Sequence, residues 1–265
     1  MTKIWSCGYT VIVLISLTSC RRDSAVSDKP NQPQVVHSAS TITLSVSEQN
    51  AKLLEQLQEY PNLEVLSVEC LEDLQFLPDS IGTLGKLREL RIDNGNGCSM
   101  NPVLPESFGN LHSLETLVLF GAQDPRTTDD SGHPQPGVRH QFPKSTSRLK
   151  SLTYLDLGRN GFEEVPDFVK DLPNITHLGL AWNELKELPP TLTSLRKLKT
   201  LDLEGNDLHD LPDVLNTLPQ LSAVKLGYNC KITQNPSKIR KLKSRFPKIQ
   251  FDFVDVYDCP AKKSE

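Results

Sequence analysis

Aromatic residues are scarce in this 265-residue chain, at 6%, and methionine occurs only twice. A core of interlocking rings is thereby excluded, and its apolar positions fall to aliphatic side chains, chiefly leucine. No apolar run reaches the roughly 20 residues that a membrane-spanning helix needs. The longest, Tyr9 to Leu17, has the length of a secretory h-region instead. Patterns that carry common chemistries are missing as well: no G-x-S-x-G, H-E-x-x-H, Walker loop or dinucleotide-binding fingerprint occurs, so neither catalysis nor a cofactor is expected. The six cysteines include no C-x-x-C pair, which argues against a Cys₄ metal site. Neither sign of charge dominates, with 33 acidic against 29 basic residues, and a net charge of −4 gives no reason to expect a nucleic-acid partner.

What the chain has is repetition. Leu152 to Gln220 divides without gaps into three copies of 23 residues: LTYLDLGRNGFEEVPDFVKDLPN, ITHLGLAWNELKELPPTLTSLRK and LKTLDLEGNDLHDLPDVLNTLPQ. A fixed period carrying L-x-x-L-x-L-x-x-N-x-L resembles a leucine-rich repeat solenoid, in which stacked units bury a continuous core that one unit cannot bury alone. The expected fold class is therefore α/β, a solenoid with a concave parallel β-sheet and short helical or 3₁₀ convex segments, capped at both ends.

Each copy predicts one coil. Leu155 and Leu157 alternate with Asp156 as a half-buried strand requires. Asn160, Asn183 and Asn206 recur at the ninth position, where an amide can satisfy the backbone of a tight inward turn. Val165-Pro166, Leu188-Pro189 and Leu211-Pro212 then open the return segment, because proline presets φ for a helical or 3₁₀ turn. Three less regular coils precede these, opening at Leu63, Leu87 and Leu114. They lack the turn asparagine, and the third is interrupted by an insertion over residues 122–141, rich in Asp, Gly, Pro and Thr. A seventh strand and turn run from Leu221 to Asn229. The repeats thus occupy 63–235.

The flanks complete the organisation. Residues 1–19 read as a signal peptide ending in Leu17-Thr18-Ser19-Cys20, which resembles a bacterial lipobox with Cys20 as the lipidated residue. Arg21 follows Cys20 where an aspartate would point to the inner membrane, so the outer membrane is expected. Residues 20–40 have the composition of a flexible tether. An N-terminal cap over 41–62 combines a strand, Thr41 to Val46, with a helix from Glu48 to about Glu59 that points Leu54 and Leu57 inward. A C-terminal cap over 236–260 combines a helix begun by Asn235-Pro236 with a strand from Ile249 to Val256, and 261–265 form a tail. Cys230 and Cys259 are tenth and eleventh in successive coils about 4.8 Å apart, within disulfide reach. Cys70 and Cys98 fall just after successive strands and make a second candidate pair.

Binding residues are expected where strand positions face away from the core. One outward row reads Val65, Glu89, Thr116, Tyr154, His177, Thr200 and Ala223, and the next reads Ser67, Arg91, Val118, Asp156, Gly179, Asp202 and Lys225. Beyond them come Phe120, Arg159, Trp182 and Tyr228, with Trp182 expected at the centre of a contiguous patch. Exposed Trp, Tyr and Arg on a rigid scaffold have the composition of binding hot spots. His133 and His140 with Asp124, Asp129 and Asp130 match no ligand spacing and read as a solvated loop. The basic run Lys238, Arg240, Lys241, Lys243, Arg245 and Lys248 reads as the outer face of the cap helix.

With its L-P-x-x-L repeats and lipobox, the whole resembles a bacterial leucine-rich repeat lipoprotein. The resemblance implies a non-enzymatic interaction or adhesion module on the cell envelope, held to the membrane by a lipid anchor and binding a protein ligand through the concave face. A glycan ligand stacked on Trp182, Tyr154 and Tyr228, or a structural role in envelope assembly, are the alternatives. No helical catalytic domain like that of the repeat-bearing ubiquitin ligases follows the repeats, so that activity is not implied.

Overall fold

The computed structural model describes residues 12–14, 41–44, 54–69, 76–93, 103–121 and 142–253. The lipobox, the tether, the insertion and the 261–265 tail lie outside the described residues, as do Cys70, Cys98 and Cys259. The same holds for the residues considered above as a solvated loop, His133, His140, Asp124, Asp129 and Asp130.

Among the described residues ten strands form one sheet in strict chain order. They are β1 (Ile12–Leu14), β2 (Thr41–Leu44), β3 (Val65–Glu69), β4 (Glu89–Asp93), β5 (Thr116–Phe120), β6 (Tyr154–Asp156), β7 (His177–Gly179), β8 (Thr200–Asp202), β9 (Ala223–Lys225) and β10 (Gln250–Asp252). Every neighbouring pair is parallel, so each strand is followed by a return segment that leads to the next coil. The fold is a leucine-rich repeat solenoid. β1 lies within the segment expected to be a signal peptide and pairs with β2 at the end of the sheet.

The leucine spacing accounts for the core directly. Leu155, Leu178 and Leu201 pair across β6, β7 and β8, and Leu157, Leu180 and Leu203 follow two residues later; all six are buried. Apolar residues before each return proline and after each 3₁₀ turn close the core from the far side, among them Leu77, Leu104, Leu188 and Leu211, then Leu84, Leu111, Leu172 and Leu195. Each strand alone is too short to be stable, and stacking supplies both its ladder partners and the apolar neighbours above and below.

The return turns begin one residue later than the prolines. Pro78, Pro105, Pro143, Pro166, Pro189 and Pro212 are extended residues that cap the five-residue 3₁₀ turns. Their carbonyls accept the first bond of each turn, from Ile81, Phe108, Thr146, Val169, Leu192 and Leu215, at 2.9–3.2 Å. Five of these donors carry apolar side chains into the core; the sixth, Thr146, is fully buried and its hydroxyl has no partner among the described residues. A pre-set φ and a free carbonyl both suit proline to this cap, and its missing N–H is not called for there.

The ninth-position asparagines tie coils together as anticipated. The Asn183 amide donates to Leu180 O and, one coil back, to Leu157 O, both at 3.0 Å, while its Oδ1 accepts from Asn160 N at 3.1 Å and Phe162 N at 3.0 Å. Asn206 repeats the pattern with Leu203 O and Leu180 O at 2.9 Å and Leu185 N at 3.0 Å. Asn229 extends it to Leu203 O and Leu208 N. Asn160 donates back to Leu119 O at 2.7 Å, so it serves a third coil that has no asparagine of its own.

Both caps differ from expectation in detail. Leu54 and Leu57 are buried, but the described part of the N-terminal helix is two helical residues followed by a 3₁₀ turn at Leu57–Glu59. At the other end, a single helical turn at Cys230–Thr233 occupies what the sequence pattern leaves as loop. Helix α1 (Pro236–Arg245) then starts as expected, with the Asn235 side chain accepting from Ser237 N and Lys238 N. Leu242 and Phe246 are buried while Ile239 is only half-buried. The last strand is three residues, Gln250–Asp252, shorter than the alternating FDFVDV suggests. Arg245 is not a free outer-face cation: it pairs with Asp210 and Asp213, each at 2.9 Å. Cys230 is disulfide-bonded, to a residue outside those described.

Candidate functional site

The outward rows have the register expected from the repeat. Tyr154 pairs with His177 and His177 with Thr200, while Asp156, Gly179, Asp202 and Lys225 align in the next row. The Tyr154 and His177 rings are stacked, with centroids 4.3 Å apart and planes 4° from parallel. The adjacent-strand spacing of about 4.8 Å alone brings them to stacking distance. His177 Nδ1 also lies 2.6 Å from Thr200 Oγ1, so the imidazole is held at both a face and an edge. Burial pushes the His177 pKa down, against the charges of Asp156 and Asp202.

A second ridge runs along the turn that follows the strands. Arg159, Trp182 and Tyr228 have positive φ, at 56°, 57° and 55°, as do Gly121 at 62° and Gly205 at 66°. All five occupy the eighth position of their coils. The ladder continues through them: Gly121 N donates to Gly158 O, Arg159 N to Ala181 O, Trp182 N to Glu204 O and Gly205 N to Gly227 O, at 2.6–2.9 Å. This left-handed conformation costs a non-glycine residue roughly 1–2 kcal/mol. Two coils avoid that cost with glycine, and three carry large side chains despite it.

Those large side chains interlock. Trp182 lies over Gly205, where an added Cβ would fall 2.5 Å from Trp182 Cε3. Across that gap the Trp182 ring reaches Tyr228, two coils away, with centroids 5.1 Å apart. On its other side the Arg159 guanidinium sits 5.9 Å from the Trp182 centroid and 5.5 Å from the Phe120 centroid. Phe120 joins the ridge from the seventh position by leaning over Gly158, whose absent side chain leaves room for the ring. Trp182 remains 38% exposed.

The six expected binding residues thus form two ridges and not one patch. Among the described residues no ring contact joins the Tyr154–His177 pair to the Phe120–Arg159–Trp182–Tyr228 ridge. Between them runs the row Val118, Asp156, Gly179 and Asp202. Its floor is low, because Gly179 has no side chain and Val118, expected to face outward, is only 5% exposed. Asp156 Oδ1 accepts from Gly158 N at 2.9 Å, and its carboxylate leans over Gly179, where a Cβ would meet it at 2.7 Å. Burial pushes the Asp156 carboxyl up from the ordinary range, opposed by the Gly158 bond and by His177. Asp202 is paired with Lys225 at 2.8 Å, a contact that raises the lysine pKa.

Sequence reasoning missed the roles of Gly158, Gly179 and Gly205, although glycine recurring at the eighth position, at Gly121 and Gly205, is itself a signal that φ is positive there. Chemically, the arrangement offers a rigid aromatic and cationic relief around a recessed carboxylate. Among the described residues no group of three or more His, Cys, Asp or Glu is placed to hold a metal.

Comparison with known proteins bears on the repeat and the fold. Residues 150–208 match the leucine rich repeat family model. InlP of Listeria monocytogenes is similar in fold, with a TM-score of 0.52 and 23% identity over 80% of this chain and 60% of that one. Internalin C2 of the same organism gives a TM-score of 0.49 and 22% identity, covering 71% of each chain. A leucine-rich repeat protein of Leptospira interrogans gives 0.43 and 22%, covering 82% of this chain and 58% of that one. The chain therefore spans about three-fifths of the length of two of these three proteins. No curated protein matches the sequence. Repeat period, sheet register and asparagine ladder agree with the family match over residues 150–208: the chain folds as a leucine-rich repeat solenoid.

Proposed function

We propose that this chain is a protein-binding module displayed on a bacterial envelope, engaging its partner through the concave face between Tyr154 and Tyr228. The observation that carries the reading is the eighth-position ridge. Arg159, Trp182 and Tyr228 hold left-handed backbone conformations that glycine adopts freely in the same column at Gly121 and Gly205. Bulky side chains kept at a conformational cost on an exposed face have their compensation in what those side chains do, and binding is the use that fits exposed Trp, Tyr and Arg. The ridge favours a protein over a glycan ligand. One face of Trp182 rests on Gly205 and the other is approached by Arg159, so the indole offers its edge more than an open platform for a sugar ring.

The envelope placement rests on the Leu17-Thr18-Ser19-Cys20 motif, with a lipid on Cys20 and the 20–40 tether lifting the solenoid from an outer membrane. Cys20→Ala should move the protein from the membrane fraction to the aqueous one; unchanged fractionation would remove this part of the reading.

The binding claim is tested by placing a photo-crosslinker at position 182 and, as a control, at position 191 on the exposed convex side. The protein captured only from 182 is then purified and its affinity measured directly. Trp182→Ala should weaken it by about 2 kcal/mol or more, near thirtyfold, if Trp182 is a hot spot. Full affinity in a Tyr154, Trp182, Tyr228 triple alanine variant would move the site off this face. Capture of purified envelope glycans, with no protein captured, would turn the reading to the glycan alternative.

A further inference from the structure

The groove between the two ridges has a charge that no ion pair among the described residues answers. Among the described residues three cations border the face, and each is engaged: Arg91 with Glu89, Lys225 with Asp202, and Arg159 between the Phe120 and Trp182 rings. Asp156 makes no ion pair among the described residues, and its single hydrogen bond comes from the Gly158 amide. Its carboxylate is set into the floor between Val118 and Gly179 and walled on one side by the Tyr154–His177 stack. A carboxylate half withdrawn from water gains more from a cation than an exposed one, because the low surrounding dielectric strengthens the attraction. The partial burial that raises the Asp156 pKa reports the same withdrawal.

We infer that the notch at Asp156 beside Gly179 receives an arginine side chain of the protein partner. The inference deepens the proposed function and rests on its reading of the face as a protein-binding surface. Arginine fits because a planar guanidinium forms paired hydrogen bonds to one carboxylate and can also pack against flat rings, and the Asp156 carboxylate stands two residues along the strand from the Tyr154–His177 stack. Lysine would satisfy the charge without the stacking. Gly179 is the positioning residue, since any side chain there would occupy the space the Asp156 carboxylate and its guest need.

A fluorescein-labelled tetra-arginine amide, titrated against the full chain by anisotropy, tests the notch without knowledge of the partner. Tetra-lysine serves as comparator. Wild type should bind tetra-arginine at least threefold more tightly than tetra-lysine. Asp156→Asn, which keeps the acceptor for Gly158 N, should weaken tetra-arginine at least tenfold. Asp171→Asn removes the same charge from an exposed 3₁₀ turn on the far side and should change affinity less than twofold. Equal losses in the two variants, no preference for arginine, or no binding by wild type each overturn the proposal. The two readings fail separately: a partner that is lost with Trp182→Ala but bound normally by Asp156→Asn sinks the notch and keeps the face. Arginine binding lost with Asp156→Asn, beside a partner indifferent to the triple alanine variant, does the reverse.

Discussion

Gly205 separates the architecture of the ridge from its contacts, and Gly205→Ala probes both at once. The residue sits at φ +66°, so alanine there bears the left-handed cost of roughly 1–2 kcal/mol. The new methyl would also fall 2.5 Å from Trp182 Cε3 and 2.7 Å from Trp182 Cδ2, so the indole must leave its place over the backbone. Leaving it separates Trp182 from Tyr228, now 5.1 Å away, and an aromatic pair of this kind is worth about 0.5–1.5 kcal/mol. The sum in the wild-type background is about 1.5–3.5 kcal/mol. In a Trp182→Ala background only the backbone cost remains, about 1–2 kcal/mol. Urea unfolding of the four proteins of this cycle should therefore give a coupling of about 1 kcal/mol between positions 182 and 205. The chain has two tryptophans, Trp5 and Trp182, and Trp5 lies within the 1–19 segment read as a signal peptide, so Trp182 is the only emitter in processed protein and Trp5→Phe makes it so in the full chain. Its emission should shift red when Gly205→Ala pushes the ring into solvent. Equal destabilisation in both backgrounds, with unchanged emission, would show that Trp182 does not lie over Gly205 and that the ridge is not interlocked.

Three other substitutions test the fold beneath the site. Asn206→Ala leaves the Leu185 amide without its acceptor and takes one of two side-chain donors from each of the Leu180 and Leu203 carbonyls, which keep Asn183 and Asn229, and should cost about 1–3 kcal/mol in chemical denaturation; unchanged stability would mean that the ladder is dispensable. Thr146→Val replaces a fully buried hydroxyl that has no partner among the described residues by a methyl of similar size and should raise stability by about 1 kcal/mol, whereas a decrease would reveal a bond or a buried water that the hydroxyl serves. Cys230→Ser should remove about 3–4 kcal/mol if the bridge runs to Cys259 across a loop of this length. Non-reducing peptide mapping that joins Cys230 to any other cysteine would refute that pairing.

The 23-residue period, the alternation within L-x-L and the recurring asparagine determined the coil, its parallel sheet and both outward rows before any coordinates, because each depends only on distance along the chain. A strand's side chains alternate with a period of two, and a constant repeat places equivalent residues one ladder step apart, so Tyr154 opposite His177 and Asp156 beside Gly179 follow from counting. Irregularities were beyond that counting. Thr146 occupies a core position that five other coils fill with apolar residues, and Val118 is covered although its row faces outward. Phe120 reaches the ridge from the seventh position because the neighbouring coil offers Gly158. Trp182 meets Tyr228 across two coils because Gly205 leaves the space between them open. These contacts depend on side-chain direction and on what the next coil lacks, and neither is set by a residue's own place in the repeat. One patch in the pattern therefore became two ridges around a carboxylate, and only the packing of one coil on the next could decide it.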